Sequence, residues 1–271
     1  MATITLNRTQ HYYEDTGGEG PTILFIHGLF FDGRMFADQI TGLKDRYRCV
    51  SLDWRSQGRS EVAPFGHDVD GLVNDARALI EALDLAPCHV VGVSVGGVIA
   101  IRLAAQYPDL ISAAVGIGSS AKCETIETLV RYEDLFARYS GDGPESVIGE
   151  LMPLIFGKRF NEAPEMAAAR DSWRAHICGN NGMAVGRAAA PILRRVDISH
   201  MLEYVRCPAL FVVGDEDFVN GIDKARHIVA GIPSAQIAVM PGVGHTPPLE
   251  APKDLADILA NFFDSLRDQP R

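Results

Sequence analysis

Short apolar runs recur along the first half of the chain: Thr22–Ile26, Cys49–Leu52, His89–Val93 and Ile111–Val115. Runs this short and this continuous suit strands buried on both faces of a parallel sheet. Between the second and third runs, Val69, Leu72, Val73, Ala76, Leu79, Ile80 and Leu83 recur at helical spacing. That is the stripe of an amphipathic helix lying on a sheet. Strand and helix in alternation imply right-handed βαβ crossovers. The pattern resumes with Ala209–Val213 and Ala235–Val239. A last helix follows, with Pro252 in its first turn and Leu255, Ile258, Leu259, Phe262, Phe263 and Leu266 on one face. Tyr12 and Tyr13, in the polar N-terminal stretch, predict an antiparallel edge strand.

Residues 122–203 break this rhythm. They hold no clear strand, several helix-like stretches such as Ser146–Phe156, and the bulky side chains of Met152, Phe156, Trp173 and Met183. The expected division is a core of 1–121 and 204–271 interrupted by a helical cap, or lid, over 122–203. At about 150 residues per domain, the 271 residues are thereby explained by one core plus an insertion.

Composition narrows the partners. The chain is 47% hydrophobic and 22% charged, with a formal net charge of −10. This balance offers no electrostatic footprint for nucleic acid or an anionic membrane. Cys49, Cys88, Cys123, Cys178 and Cys207 are scattered and form no CxxC pair, so they read as buried thiols of a reducing compartment. The N-terminal residues lack the layout of a signal peptide. The longest apolar stretch, Val90–Ile101, is too short for a membrane span. A soluble cytoplasmic protein is expected, and no oligomeric state is implied.

Several strands run directly into residues able to do chemistry, at His27-Gly28, Asp53, Ser94, Asp215 and Asp217, and His245. In an open parallel sheet, ligands bind beyond the carboxyl ends of the strands, so these residues should share one rim. The sharpest local signal is Gly92-Val93-Ser94-Val95-Gly96, set between a strand and a helix over Val98–Tyr107. A tight strand-to-helix turn needs small neighbours, and it leaves the serine hydroxyl projecting. A serine needs a base within hydrogen-bond reach. His245, in a glycine-rich loop before the last helix, is the best of eight histidines. The base in turn needs a carboxylate, and Gly214-Asp215-Glu216-Asp217 supplies three acids after a strand. No acid closely follows the Ile111 strand, where Glu124 is the first.

With these motifs the sequence resembles the α/β-hydrolase superfamily along nearly its whole length. The segments that carry the resemblance are His27-Gly28, Asp53–Ser60 (DWRSQGRS), Gly92–Gly97, Gly214–Asp217 and Gly244–Pro252 (GHTPPLEAP). Within the superfamily it is most similar to the small lidded esterases and lactonases, including the 3-oxoadipate enol-lactonase-like group. The resemblance implies an α/β-hydrolase fold: a mostly parallel eight-stranded sheet flanked by helices, with a helical lid insertion. It implies Ser94 as nucleophile, His245 as general base and Asp217 as the acid, with Asp215 the fallback. The oxyanion hole would come from the Leu29 and Val95 amides.

Two positions depart from the family pattern: Ser56 stands where glycine is usual, and Val219-Asn220-Gly221 where a proline often follows the acid. Serine at the elbow sets aside the haloalkane dehalogenases and epoxide hydrolases, which carry aspartate there. The expected reaction is hydrolysis of a small, partly hydrophobic carboxylic ester or lactone, with no cofactor and no metal. The alternatives are a perhydrolase or carbon–carbon bond hydrolase using the same triad, or a receptor-like ligand binder. Phe30, Phe31, Phe156, Trp173 and Phe218 are candidate pocket walls, and Arg34 a candidate carboxylate contact.

Overall fold

The computed structural model describes residues 2–267. Strands β1 (Ala2–Leu6), β2 (Thr9–Asp15), β3 (Thr22–Ile26), β4 (Arg48–Asp53), β5 (Cys88–Val93), β6 (Ile111–Ile117), β7 (Ala209–Gly214) and β8 (Ala235–Met240) form one sheet. Its order is β1-β2-β4-β3-β5-β6-β7-β8. β1 and β2 are antiparallel, and every pairing from β4 to β8 is parallel. This is the eight-stranded, mostly parallel sheet that the resemblance implied.

Alternation along the strands divides the core in two. In β3, Leu24 and Ile26 face one buried cluster while Ile23 and Phe25 face the other. Helices α1 (Ala37–Leu43), α2 (Val69–Ala82) and α3 (Val95–Gln106) are the first to cover it. The stripe Val69, Leu72, Val73, Ala76, Leu79 and Ile80 of α2 joins Leu24, while Leu43 of α1 joins Phe25. Asp68 caps α2 by accepting the Gly71 amide at 2.7 Å, a cap worth about 0.5–2 kcal/mol.

Between β6 and β7 come α4 (Ile126–Gly141), α5 (Ile148–Ile155), α6 (Lys158–Glu162), α7 (Ala167–Gly179) and α8 (Gly182–Leu193). Leu135 and Tyr139 of α4, Leu151 and Ile155 of α5, and Ile177 of α7 join the same cluster as Phe25 and Val93 of the sheet. The inserted helices therefore complete a core that begins on the strands. After β7 come α9 (Ile222–Gly231), the short α10 (Pro247–Glu250) and α11 (Pro252–Arg267), which buries Leu255, Leu259, Phe262 and Phe263. Full burial of each such side chain contributes about 1.5–3 kcal/mol before chain entropy is subtracted. No helix among the described residues is long and apolar enough to cross a membrane.

Three expectations change. Tyr12 and Tyr13 do not lie on the edge, because β1 covers β2. The turn between them places Asn7 at φ 47° and Arg8 at φ 65°, the two left-handed residues of a tight hairpin turn. The helix after Ser94 starts at Val95, three residues earlier than its apolar pattern. Of the cysteines only Cys49 and Cys88 are buried; Cys123 is exposed on the loop before α4, and Cys178 and Cys207 are half-buried.

Candidate active site

β5 ends at Val93, and Ser94 turns the chain into α3 with φ 55° and ψ −116°. That conformation costs a non-glycine residue about 1–3 kcal/mol and persists only where the surroundings over-determine it. Here the Ser94 amide donates to Ile117 O at 2.8 Å, while its carbonyl accepts from Gly97 N at 3.0 Å and Ser119 Oγ at 2.9 Å. A side chain at position 96 would strike Ile26 O, so the tight approach of α3 to the end of β3 requires Gly96. The Ser94 side chain is left half-buried at the rim.

The loops after β7 and β8 meet beside it. His245 Nδ1 lies 2.9 Å from Asp217 Oδ2, and both side chains are buried. A carboxylate only accepts, so Nδ1 carries the proton and Nε2 has a free lone pair. The other oxygen, Asp217 Oδ1, accepts the Val219 and Asn220 amides, each at 2.8 Å. Burial alone would raise the Asp217 carboxyl. The charge of His245, its hydrogen bond and the two amides outweigh burial and hold the carboxyl below its ordinary value. Asp215 is exposed, and among the described residues its carboxylate accepts only the Gly242 amide, at 2.7 Å. Gly118, at φ +54°, lies against the pair: a Cβ there would sit 3.0 Å from His245 Nδ1 and 3.1 Å from Asp217 Oδ2.

Ser94 and His245 both line a cavity of about 90 Å³, together with Leu29 and Val95. Val95 is the first residue of α3, where backbone amides lack helical partners. Among the described residues, neither the Leu29 nor the Val95 amide donates a hydrogen bond. The loop carrying Leu29 is shaped by Phe30, at φ 75°, whose amide donates to Gln57 Oε1 at 3.1 Å. No group of three or more His, Cys, Asp or Glu side chains able to hold a metal occurs among the described residues.

Residues 23–258 match the alpha/beta hydrolase family. The chain belongs to that family. An esterase from Thermogutta terrifontis superimposes on this hydrolase with a TM-score of 0.88 and 25% identity, covering 97% of this chain and 98% of that one. An enol-lactonase from Burkholderia xenovorans LB400 superimposes at a TM-score of 0.90 over 97% of this chain and 100% of that one; at 20% identity it shows the fold alone. By sequence, the hydrolase is 25% identical over 270 residues to a 2-(acetamidomethylene)succinate hydrolase from Mesorhizobium japonicum, covering 98% of this chain and 94% of that protein.

The walls of the hydrolase's cavity differ from the sequence expectation. Phe30 and Phe31 line it, but Phe156 and Trp173 do not. Phe156 is buried against Phe160 at a centroid distance of 4.1 Å, and Trp173 packs edge-on to Phe31 at 5.6 Å. Phe218, next to Asp217, is 73% exposed and does not line the cavity. Leu135, Phe136, Leu151, Leu154, Ile155, Ile192 and Leu193 of the inserted helices supply much of the apolar wall. Arg34 is engaged by Asp32, with Nε 2.9 Å from Oδ1, and does not line the cavity.

Two charged residues also line the cavity, Glu124, noted in the sequence only as the first acid after the Ile111 strand, and Arg195, which went unread there. Glu124 accepts from Arg195 at 2.6 Å and Lys224 at 3.3 Å. Lys224 also donates to Asn220 Oδ1 at 3.0 Å, and Asn220 Nδ2 donates to Gly118 O at 2.8 Å. This chain of polar contacts holds the Asp217 loop to the turn after β6. His27 is buried and stacked on Trp54, whose amide donates to His27 Nε2 at 3.2 Å; it braces the loop after β3. Ser56, at φ 64°, occupies a left-handed turn, which explains the family's usual glycine there. Its hydroxyl accepts the Ala63 amide at 2.9 Å.

Proposed function

We propose that this hydrolase cleaves a carboxylic ester or lactone of a small, partly hydrophobic substrate through an acyl-enzyme on Ser94. The observation that carries the reading is the joint placement of Ser94 and the Asp217-held His245 on one largely apolar cavity. His245 Nε2 takes the hydroxyl proton as Ser94 Oγ bonds to the substrate carbonyl carbon. The carbonyl oxygen becomes an oxyanion facing the Leu29 and Val95 amides, each such donor lowering the barrier by about 3–4 kcal/mol. Collapse breaks the bond to the alcohol or enol oxygen, which leaves with the proton from His245. Water, deprotonated by the same nitrogen, then cleaves the acyl-enzyme and restores Ser94. Asp217 stays ionised throughout and stabilises the imidazolium.

The apolar lining suits an acyl group of a few carbons, and the helices of residues 122–203 act as the lid over it. The test is turnover of a p-nitrophenyl ester and lactone panel by the wild-type protein and Ser94→Ala. The variant should fold normally and lose turnover by a factor of at least 10³. Full activity without the Ser94 hydroxyl would sink the mechanism.

A further inference from the structure

One buried carboxylate outside the triad gathers an unusual set of donors. Glu250, at the end of α10, accepts the Gly157 and Gly244 amides on Oε2 at 2.7 and 2.8 Å. Its Oε1 accepts the Thr246 amide at 2.9 Å and the Thr246 hydroxyl at 3.0 Å. Gly244 and Thr246 are the two neighbours of His245, while Gly157 lies in the link between α5 and α6. The Thr246 hydroxyl is also 3.2 Å from Ile155 O, and Ile155 is one of the residues that wall the cavity.

The two backbones meet with no room to spare. A Cβ on Gly157 would sit 2.9 Å from Gly244 N and 3.1 Å from Glu250 Oε2, and a Cβ on Gly244 would strike Gly157 N. Next along the chain, the Lys158 amide donates to Glu216 Oε2 at 2.6 Å, so the neighbour of Asp217 holds the same lid segment. Hydrogen bonds to a charged acceptor are about twice as strong as neutral ones. Four on a buried carboxylate form a joint that a neutral side chain cannot reproduce.

We propose that Glu250 is a positioning residue that fixes His245 and the lid wall at Ile155–Gly157 to one another, so that displacing the lid withdraws the base. The proposal rests on the acyl-enzyme reading and adds a consequence for specificity. An acyl group too large for the cavity pushes on Ile155 and, through the joint, on His245. Discrimination by acyl size should then fall in kcat, whereas a passive lid would place it in KM.

The experiment compares wild type, Glu250→Gln and Gly157→Ala in the rate of Ser94 labelling by a fluorophosphonate, in kcat and KM for p-nitrophenyl esters of increasing acyl length, and in thermal stability. In Glu250→Gln the carboxamide turns its N–H₂ either toward the Gly157 and Gly244 amides or toward the Thr246 amide and hydroxyl; each orientation sets an N–H against at least one backbone N–H. Gly157→Ala strains the joint from the lid side with no substitution in the triad or at Glu250. Both should slow labelling and kcat by about 10²-fold, the usual consequence of misplacing a catalytic group by about 1 Å. Labelling of folded Gly157→Ala at the wild-type rate, or wild-type discrimination confined to KM, would overturn the coupling. The acyl-length series needs only the wild-type protein and so decides the matter even if both variants fail to fold. Absence of labelling in wild type would instead refute the role of Ser94.

Discussion

Gly118→Ala tests the geometry of the proposed acid–base pair, Asp217 and His245, without removing any of its atoms. Two penalties can be separated. The residue sits at φ +54°, and a left-handed backbone costs an L-residue with a Cβ about 1–2 kcal/mol. For a chain of this size each kcal/mol lowers Tm by about 2–4 °C, so thermal unfolding should shift down by a few degrees. The second penalty is local. The new methyl would stand 3.0 Å from His245 Nδ1 and 3.1 Å from Asp217 Oδ2, tighter than nearly all real contacts. It can be accommodated only if the pair gives way by a few tenths of an ångström.

That displacement acts on the 2.9 Å hydrogen bond that orients the base. Asp217 is anchored on its other oxygen by two amides, so the ring of His245 is the part free to turn. A base rotated away from the nucleophile loses part of the 10²–10⁴-fold that general-base catalysis contributes. A fall in kcat of about 10-fold to 10²-fold is expected, with KM little changed, because Gly118 does not line the cavity. Both effects are read on one preparation, by a thermal melt and by ester kinetics below the transition. A variant with the lowered Tm and an undiminished kcat would show that the methyl does not press on the pair. An unchanged Tm would refute the left-handed turn itself.

Asp217→Asn should lower kcat by about 10⁴-fold, because its carboxamide oxygen stays with the Val219 and Asn220 amides and its N–H₂ then faces His245 Nδ1, forcing the wrong tautomer. Asp215→Asn should stay within a few-fold of wild type, and a larger loss there than at Asp217 would reassign the acid. Burial pushes the His89 imidazole down to about 4, so below pH 6.5 the unfolded chain binds a proton that the folded one refuses. Its contribution to stability is present above pH 6.5 and is lost as the pH falls toward 4. His89→Gln should flatten urea-measured stability in that window by up to about 1.4 kcal/mol per pH unit, and parallel curves for variant and wild type would contradict this.

What was legible in the sequence follows from how local each signal is. Continuous apolar runs placed β3 to β7 because a strand buried on both faces has no polar side to confuse the pattern; β8, half-exposed at the sheet edge, was found by its run alone. The glycines around Ser94 and the acids after β7 marked strand ends, where topology alone brings distant residues to one rim. β1 was missed because its turn, Asn7-Arg8, lacks the glycine that usually announces a hairpin. The cavity walls were misjudged for a different reason. Which face of an inserted helix meets the core depends on contacts with other helices, so bulk alone did not separate Leu151 or Ile155 from Phe156. Glu250 stood in plain view within GHTPPLEAP, yet an acid near the start of a helix has an ordinary local explanation. Only the fold brings Gly157 to it, across 93 positions of chain.

Two of the strained backbone positions lie at the proposed site. Asn7, Arg8, Ser56 and Asp84 have positive φ in turns away from the cavity, while Phe30 and Ser94, at φ 75° and 55°, line it and are each held by a hydrogen bond from another segment. The loop that follows Ser56 supplies the acceptor for the Phe30 amide, and the turn after β6 supplies the donor for the Ser94 carbonyl. Each conformation costs about 1–3 kcal/mol, which local sequence preference does not return. The cost makes sense if the backbone, more than the side chains, must be aimed. Phe30 directly follows Leu29, and the Ser94 turn leaves the Val95 amide unspent at the start of α3. Two strained residues from different strand ends thus flank the two amides assigned to the oxyanion. A relaxed loop at either one would leave that donor to be reorganised during the reaction, at the expense of the preorganisation on which such stabilisation depends.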